Sequence, residues 1–338
     1  MLRDRRKGKV GHAMRALAPP PFTRLAGIFL PLTRLVVPLL TLLAVLLPGS
    51  PATQAQTKPK APQAQEDAAT KDLLARGKYV FRTAGGCSCH GNSSGGGNLA
   101  GGRPLRTPFG IFYGTNITPD RTHGIGAWSD ADFIRAMTEG RAPDGRHYFP
   151  VFPYAAYTHM TREDLLALKA YLFSRPAVPR ANRPHLVLPP FGIRLGVLPW
   201  KLLFFTQGEL PPDPARDAEW HRGRYLVEGP GHCAQCHTPR NLLGGLKAGM
   251  AMGGAGDGPE HQLAPNITPH ETTGIGRWSV NDLSWYLETG LKPDGDDSQG
   301  LMAELIEHGF GRLRPEDRAA IAAYLRSIPP VNNALLKR

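Results

Sequence analysis

The stretch NITPDRTHGIGAWSDADFIRAMTEGRAPDG, residues 116–145, recurs 150 residues later as NITPHETTGIGRWSVNDLSWYLETGLKPDG, residues 266–295. Of the 30 aligned positions, 15 are identical. Self-similarity at a fixed offset indicates that a chain contains the same structural unit more than once. Because each unit needs about 100 residues, the repeat predicts two domains rather than a solenoid.

Each copy of the repeat lies between two short helical patterns. A Gly-x-Tyr pattern opens the copies at Gly77 and Gly223, and an amphipathic pattern containing Tyr171 or Tyr324 closes them. The chain has 39 glycines and 33 prolines, which favours long ordered loops between the helices. No stretch alternates with a period of two, so we expect few strands. The predicted fold class is all-α.

The domain boundaries follow from the repeat and from composition. We predict domain 1 at residues 71–176 and domain 2 at residues 217–330, preceded by a flexible tether at residues 56–70. The segment between the domains, residues 177–216, is too apolar for a free linker. We expect its WKLLFF run, residues 200–205, to pack across the domains, with a docking patch as the alternative.

The basic side chains are concentrated at the N-terminus. The formal net charge is +12, and residues 1–50 contain eight Lys or Arg and a single acid. The apolar run LVVPLLTLLAVLL, residues 35–47, and then small residues follow, which is typical of an export signal. The alternative for residues 1–55 is an uncleaved membrane anchor. The remaining chain has a formal net charge of only +5, so we expect no nucleic-acid partner.

A second pattern assigns chemistry to the cysteines of domain 2. Cys233 and Cys236 are followed directly by His237, which is the C-x-x-C-H pattern of c-type haem attachment. Residues three apart on a helical turn lie on one side, so both thiols reach one porphyrin edge, and the histidine supplies an axial nitrogen to iron. The sequence predicts a covalently bound haem here.

The equivalent pattern in domain 1 is irregular. Cys87, Cys89 and His90 keep the Cys-His adjacency, but a single residue separates the two cysteines. Residues two apart on a helix point in nearly opposite directions, so either the turn is distorted or Cys89 alone forms a thioether. A disulfide across this spacing would be strained. Because the repeat holds a haem motif in its second copy, we expect a second covalent haem here.

The second axial ligand of the domain 2 haem is expected to be a methionine. Met302 lies just before the closing helix, and Met250 and Met252 are its rivals in a Gly-rich loop. We predict Met302.

The axial ligand in domain 1 is harder to assign. Met302 aligns with Phe152, which cannot bind iron, and the nearest sulfur is that of Met160, directly before the N-cap residue Thr161. We predict Met160. The alternatives are Met137, His147, His159 or an open iron.

Three further side chains are candidate partners of haem propionates. Trp128 and Trp278 are equivalent in the repeat, and each either donates its indole N–H to a propionate or is buried with another partner. Arg240 follows the second haem motif and either pairs with a propionate or is solvated.

Residues 71–330 resemble the cytochrome c subunits of periplasmic bacterial dehydrogenases. The resemblance rests on GKYVF, GGCSCHG, TPFGIFYGTNITPD, FPYAAYTHMTREDLLALKAYL, WKLLFF, RGRYLVEGPGHCAQCHTPRN and APNITPH. It implies two tandem class I cytochrome c-like domains with two covalent haems.

The same resemblance implies an electron carrier in the periplasm. Such a carrier takes electrons from a dehydrogenase subunit and passes them to a quinone or a terminal oxidase. No constellation of acid–base or nucleophilic residues is visible, so we assign no catalytic residue. The alternative is a dihaem peroxidase or a thiosulfate-type oxidoreductase that uses one haem with an open or replaceable distal site.

Overall fold

The structure is a computed structural model that describes residues 61–91 and 98–335. About 45% of these described residues are helical, which is consistent with a mostly helical fold. The helices are α1 (Ala61–Thr83), α2 (Asp130–Glu139), α3 (Tyr154–Tyr157), α4 (Arg162–Phe173), α5 (Val197–Phe204), α6 (Ala218–Glu228), α7 (Ala234–His237), α8 (Val280–Thr289), α9 (Gly300–His308) and α10 (Pro315–Ser327). The strands are β1 (Pro104–Thr107), β2 (Gly110–Tyr113) and β3 (Leu186–Val187).

The first and last helices of each repeat cross at a glycine. A Cβ atom on Gly77 of α1 would lie 1.9 Å from the carbonyl oxygen of Ala167 in α4. A Cβ atom on Gly223 of α6 would lie 2.0 Å from the carbonyl oxygen of Ala320 in α10. Only glycine permits so close an approach. We call residues 61–173 the first repeat and residues 218–327 the second repeat.

The repeated stretch forms the same local structure twice. Ser129 caps α2 and Ser279 caps α8, each in a capping box with the aspartate three residues later. These boxes satisfy the free N–H groups of the first helical turn, so both helices begin at the same position of the repeat. Buried Asn116 and Asn266 bind loop backbone: their Nδ2 atoms donate to the carbonyls of Val178 (2.8 Å) and Val331 (2.6 Å).

A small antiparallel sheet accompanies the helices, which agrees with the expectation of few strands in a mostly α fold. Strand β1 pairs with β2, where Leu105 faces Phe112, and β3 of the connecting segment pairs with β2 at Ile111 and Leu186. Each strand has four residues or fewer, which is too short for an alternating pattern to be visible in the sequence.

The predicted tether needs correction. Helix α1 begins at Ala61, so residues 61–70 form a helix where a flexible tether was predicted. Alanine, glutamine and glutamate predominate there, and these residues have high helix propensity. Residues 1–60, which include the predicted export signal or anchor, lie outside the described residues. Among the helices of residues 61–91 and 98–335, none combines the length and the apolar character that crossing a bilayer requires.

The buried apolar side chains form three clusters. The first core lies in the first repeat and the second core in the second repeat. The first core includes Val80, Phe133, Leu165 and Leu168, and the second core includes Leu226, Leu283, Ile321 and Leu325. A smaller sheet cluster consists of Leu105, Phe112, Phe149 and Val197, which joins β1, β2 and α5. The two repeats contact each other where α9 packs against the 3-10 turn Gly85–His90.

Candidate haem-binding site

The second haem motif has regular helical geometry. Cys233 has helical dihedral angles, and its carbonyl accepts hydrogen bonds from the backbone N–H groups of Cys236 (3.2 Å) and His237 (2.9 Å). This single turn continues into α7. Cys233 and Cys236 therefore lie three residues apart on one side of the turn, as two thioethers to one porphyrin require.

The first haem motif is a distorted turn. Gly85, Gly86 and Cys87 all have positive φ angles, of 64°, 67° and 50°. A Cβ atom on Gly85 would lie 2.2 Å from Leu305 of α9, and one on Gly86 would lie 2.9 Å from the carbonyl oxygen of His308. Of the two alternatives left open by the sequence, a distorted turn is therefore present. A left-handed conformation costs a non-glycine residue such as Cys87 about 1–2 kcal/mol.

Both motif histidines are oriented by a backbone carbonyl. Nδ1 of His90 lies 2.8 Å from the carbonyl oxygen of Thr115, and Nδ1 of His237 lies 2.7 Å from that of Pro265. A carbonyl only accepts, so each Nδ1 carries the proton and each Nε2 keeps its lone pair. Burial lowers the pKa of both imidazoles, which favours the neutral form that binds iron.

No disulfide joins any of the four cysteines. Burial raises the pKa of Cys87 and of Cys233 to about 12 and that of Cys236 to about 11, and the neighbouring Cys89 adds to the last shift. All four thiols are therefore neutral at pH 7, unlike the low-pKa thiolates of catalytic or redox-sensing sites. Free thiols beside histidines with an available Nε2 fit two covalently attached haems.

The two motifs lie beside each other, at the junction of the repeats. Cys87 packs on the first core and Cys89 on the sheet cluster, whereas Cys233 packs on the second core. The ring of Tyr157, from the first repeat, contacts that of His232 beside Cys233, with centroids 5.5 Å apart. The motifs are thus adjacent, although 143 or more residues separate them along the chain.

Two methionines of the first repeat share a cluster with Cys87. Met160 and Met137 are both buried in the first core. The two histidine alternatives each have one ring nitrogen occupied: His147 Nδ1 lies 2.8 Å from Lys201 Nζ, and His159 Nδ1 lies 2.7 Å from the carbonyl oxygen of Gly208. Met137 is therefore a second methionine of the first core that could bind the iron of the first haem in place of the predicted ligand Met160.

The second repeat also brings two methionines to one cluster. Met302 of α9 packs on the second core together with Cys233, and Met252 is buried within that core. Met250 lies in the 3-10 turn Ala248–Met250, outside that cluster. Met302 and Met252 therefore remain the candidate iron ligands near the second motif, since both lie in or against the second core.

The candidate propionate partners differ in how they are bonded. Among the hydrogen bonds of the described residues, none is made by the indole N–H of Trp128 or of Trp278, and both side chains are partly exposed. The Arg240 guanidinium is engaged: it donates to the carbonyl oxygen of Gly244 (2.8 Å) and to Gln235 Oε1 (2.9 Å). Arg240 therefore fastens the loop to the motif, and its propionate role stays a prediction.

Several residues of the site were not predicted from the sequence. Thr115 and Pro265 are equivalent at the 150-residue offset, so the repeat offered a signal for both. No local signal pointed to Arg103, which is 8% exposed and holds the carboxylate of Glu304 with two hydrogen bonds. This ion pair joins the loop after the first motif to helix α9 of the second repeat.

Several known cytochromes and cytochrome subunits have sequences similar to that of this chain. A dihaem cytochrome c-type protein of Cereibacter sphaeroides is 41% identical over 266 residues, which cover 76% of this chain and 86% of the relative. The fructose dehydrogenase cytochrome subunit of Gluconobacter japonicus is 40% identical over 263 residues, which cover 77% of this chain and 54% of the relative. The gluconate 2-dehydrogenase cytochrome c subunit of Pantoea cypripedii is 38% identical over 272 residues, with coverages of 78% and 61%.

The lengths of these relatives differ from that of this chain. The matched region spans most of the dihaem cytochrome, about half of the fructose dehydrogenase subunit and about three fifths of the gluconate dehydrogenase subunit. No protein-family model matches the chain.

Proposed function

Because the chain belongs to the family of dihaem c-type cytochromes and dehydrogenase cytochrome c subunits, we propose that it carries electrons from a periplasmic dehydrogenase to the respiratory chain. The relatives described above are a dihaem cytochrome and the cytochrome subunits of two dehydrogenases, which favours an electron carrier over a catalytic enzyme. The acceptor in this proposal is a quinone or a terminal oxidase. The observation that supports it best is the pair of Cys-His motifs whose histidines are held by equivalent carbonyls, at Thr115 and Pro265.

The proposal assigns residues to each haem in its two tandem cytochrome c-like domains. His90 with Cys87 and Cys89 would hold the first haem, and His237 with Cys233 and Cys236 the second. Met160 and Met302 are the proposed distal ligands. Trp128, Trp278 and Arg240 are the proposed propionate partners. When bound, a haem supplies a one-electron couple whose potential depends on its axial ligands and surroundings.

The chain's own residues keep each motif ready for such a group. The carbonyls of Thr115 and Pro265 hold the proton on Nδ1, so each imidazole keeps one orientation and one tautomer. The first and second cores exclude water from one side of each motif. A rigid, apolar surrounding of this kind lowers the reorganisation that accompanies a change of charge.

The haem content can be measured directly. We expect the purified protein to have a mass that exceeds the polypeptide mass by two haems, and a pyridine haemochrome spectrum equivalent to two haems per chain. His90→Ala and His237→Ala should each change the ligation of one haem and leave the other unchanged. A preparation saturated with a single haem would contradict the proposal.

The carrier function is tested in the native host. We expect deletion of the gene to reduce oxygen uptake with at least one substrate among alcohols, fructose, gluconate and nicotinate. The wild-type gene should restore uptake, whereas a gene that encodes both His90→Ala and His237→Ala should not. Peroxide reduction or thiosulfate oxidation by the purified protein at the rate of an enzyme would overturn the proposal.

A further inference from the structure

A buried ion pair supplied by both repeats lies beside the first haem motif. The Arg103 guanidinium, in the loop before β1, donates two hydrogen bonds to the carboxylate of Glu304 in α9, and the one from Nη2 to Oε1 measures 2.8 Å. The side chain of Arg103 is 10% exposed, and that of Glu304 is 29% exposed. Water screens a pair in this position less than it screens a surface pair, so its charges act strongly on neighbouring groups.

Backbone hydrogen bonds fix the loop of Arg103 to the first motif. The N–H group of Gly114 donates to the carbonyl oxygen of Arg103 at 2.8 Å, and the carbonyl of the next residue, Thr115, holds Nδ1 of the motif histidine. Earlier in the loop, the N–H group of Gly101 donates to the carbonyl oxygen of His90 at 2.9 Å. Arg103 therefore belongs to the same hydrogen-bonded loop that orients His90.

Helix α9 holds the carboxylate of Glu304 at the motif. Leu305, the next residue of the helix, lies against Gly85 of the motif turn. Ile306 is buried in the second core. Because the helix packs on the second core and on the motif turn at once, packing places Glu304 beside Arg103.

Both charges of the pair act on the attachment cysteine Cys89. Burial raises the pKa of its thiol, and the positive charge of Arg103 opposes that shift. The carboxylates of Glu304 and Glu260 act in the same direction as burial. Glu260 has its own partner, Arg106, at 3.0 Å. The charge of Arg103 is permanent, because a guanidinium group keeps its proton in proteins.

The second repeat has an uncharged residue where the first has Arg103. Ala264, which is equivalent to Gly114 at the 150-residue offset, donates its N–H group to the carbonyl oxygen of Ala255 at 2.9 Å. Ala255 therefore takes the place of Arg103 in the backbone pairing of the loop. The hydrogen bonds of the loop are repeated, whereas the charge is not.

We propose that Arg103 and Glu304 set the reduction potential of the first haem and make it different from that of the second haem. This inference rests on the proposed function, because it requires a haem at the first motif. Reduction makes a haem iron less positive, so a nearby cation favours the reduced form and raises the potential, whereas a nearby carboxylate lowers it. Through Glu304, the second repeat thus tunes the haem of the first repeat.

The test is a potentiometric titration of the full-length holoprotein, in which the first haem is the one whose EPR signal changes in His90→Ala. We expect Arg103→Gln to lower the potential of the first haem and Glu304→Gln to raise it. At a fixed applied potential, each change should alter the ratio of reduced to oxidised first haem about threefold or more. The double variant R103Q/E304Q should lie between the two single variants.

Two controls separate the effect of charge from that of packing. Arg103→Lys keeps the charge but not the paired hydrogen bonds, and it should stay closer to the wild-type potential than Arg103→Gln does. Glu288→Gln removes the carboxylate that pairs with the buried Arg318 in the second repeat, and it should leave the potential of the first haem unchanged. Because Glu304 is partly exposed, Glu304→Gln keeps the test decisive if Arg103→Gln fails to fold.

The possible results distinguish this inference from the proposed function. Two bound haems with an unshifted first potential in both single variants would overturn this inference alone. Shifts of the same sign in R103Q and E304Q would also overturn it, because altered packing rather than charge would then be the cause. So would a lowered potential in R103Q with an unchanged one in E304Q, because Arg103 would then act without Glu304. A preparation that lacks the first haem would contradict this inference and the proposed function together.

Discussion

The hydroxyl group of Tyr225 in the second repeat donates a 2.5 Å hydrogen bond to Oδ2 of Asp164 in the first repeat. The reverse contact also exists: Tyr79 of the first repeat donates to Oδ2 of Asp317 in the second repeat. Within its own repeat, each aspartate accepts a hydrogen bond from an arginine, Arg76 or Arg222. Two equivalent contacts thus join the repeats: in each, a tyrosine of one repeat binds the aspartate of the other. The same reciprocity occurs in a dimer with approximate two-fold symmetry.

These reciprocal contacts predict that the hydroxyl groups of Tyr79 and Tyr225 stabilise the packing of the two repeats against each other. Tyr225→Phe should lower the free energy of unfolding by about 1.5–3 kcal/mol, because it removes a hydrogen bond to a charged group. Urea unfolding measures the loss. The control is Tyr171→Phe, since Tyr171 forms no hydroxyl hydrogen bond within the described residues. Equal stability of Tyr225→Phe and wild type would contradict the prediction.

The contacts of Asp317 predict a loss of stability in acid. Burial acts to raise its pKa, but hydrogen bonds from Arg222, Tyr79 and Arg314 outweigh burial and bring the pKa to about 2. Between about pH 4 and pH 2 the Asp317 carboxyl is therefore protonated in the unfolded chain but ionised in the folded chain. The contribution, about 2 kcal/mol, is fully present above pH 4 and is lost as the pH falls towards 2.

Urea unfolding at a series of pH values measures this contribution. Asp317→Asn, which cannot titrate, should be less stable at neutral pH but should lose less stability on acidification. Because the haem ligands titrate equally in both proteins, the difference between the two profiles isolates Asp317. Parallel profiles would show that the prediction is wrong.

The distorted first motif predicts two thioethers rather than one. Positive φ at Cys87 is unfavourable and is retained where the surroundings require it. Cys87→Ala should keep its haem through Cys89 but shift the pyridine haemochrome band, because one vinyl group then stays unreacted. The matched control is Cys233→Ala, which should produce the same shift from the second motif. An unshifted band for Cys87→Ala would mean a single thioether at Cys89.

The methionines of the second core predict a change of redox potential. Met302→Ala should remove the sulfur–iron signal of one haem in near-infrared magnetic circular dichroism and lower its potential, because a Met ligand raises the potential. Met252→Ala, from the same core, should leave that signal in place. The opposite pattern would assign the iron ligand to Met252.

The same design applies to the first core. Met160→Ala should change the low-temperature EPR signal of the first haem alone, whereas Met137→Ala should preserve it and affect mainly stability. Both methionines are buried in one cluster, so the pair is matched in surroundings. An unchanged first-haem signal in Met160→Ala would remove Met160 as the ligand.

Local patterns were sufficient where function depends on adjacent residues. The Cys-His motifs, the N-cap role of Thr161 and the opening and closing helices of each repeat were all readable, since each depends on spacing within one helix or on the repeat. The short strands and the helical start at Ala61 were missed. Strand β3 is defined by its pairing with Gly110 and Ile111 of β2, which are distant along the chain, and local patterns do not encode such a pairing.

By itself the sequence determined that the chain repeats a helical unit and that each unit presents thiols beside a histidine, because covalent connectivity and helical spacing are local properties. Tertiary structure alone decided that the two motifs are neighbours, that Arg103 holds Glu304, and that Tyr79 and Tyr225 bind aspartates of the opposite repeat. These contacts join residues 61 to 238 positions apart. They arise only when folding buries both partners in one interface, where a hydrogen bond replaces water.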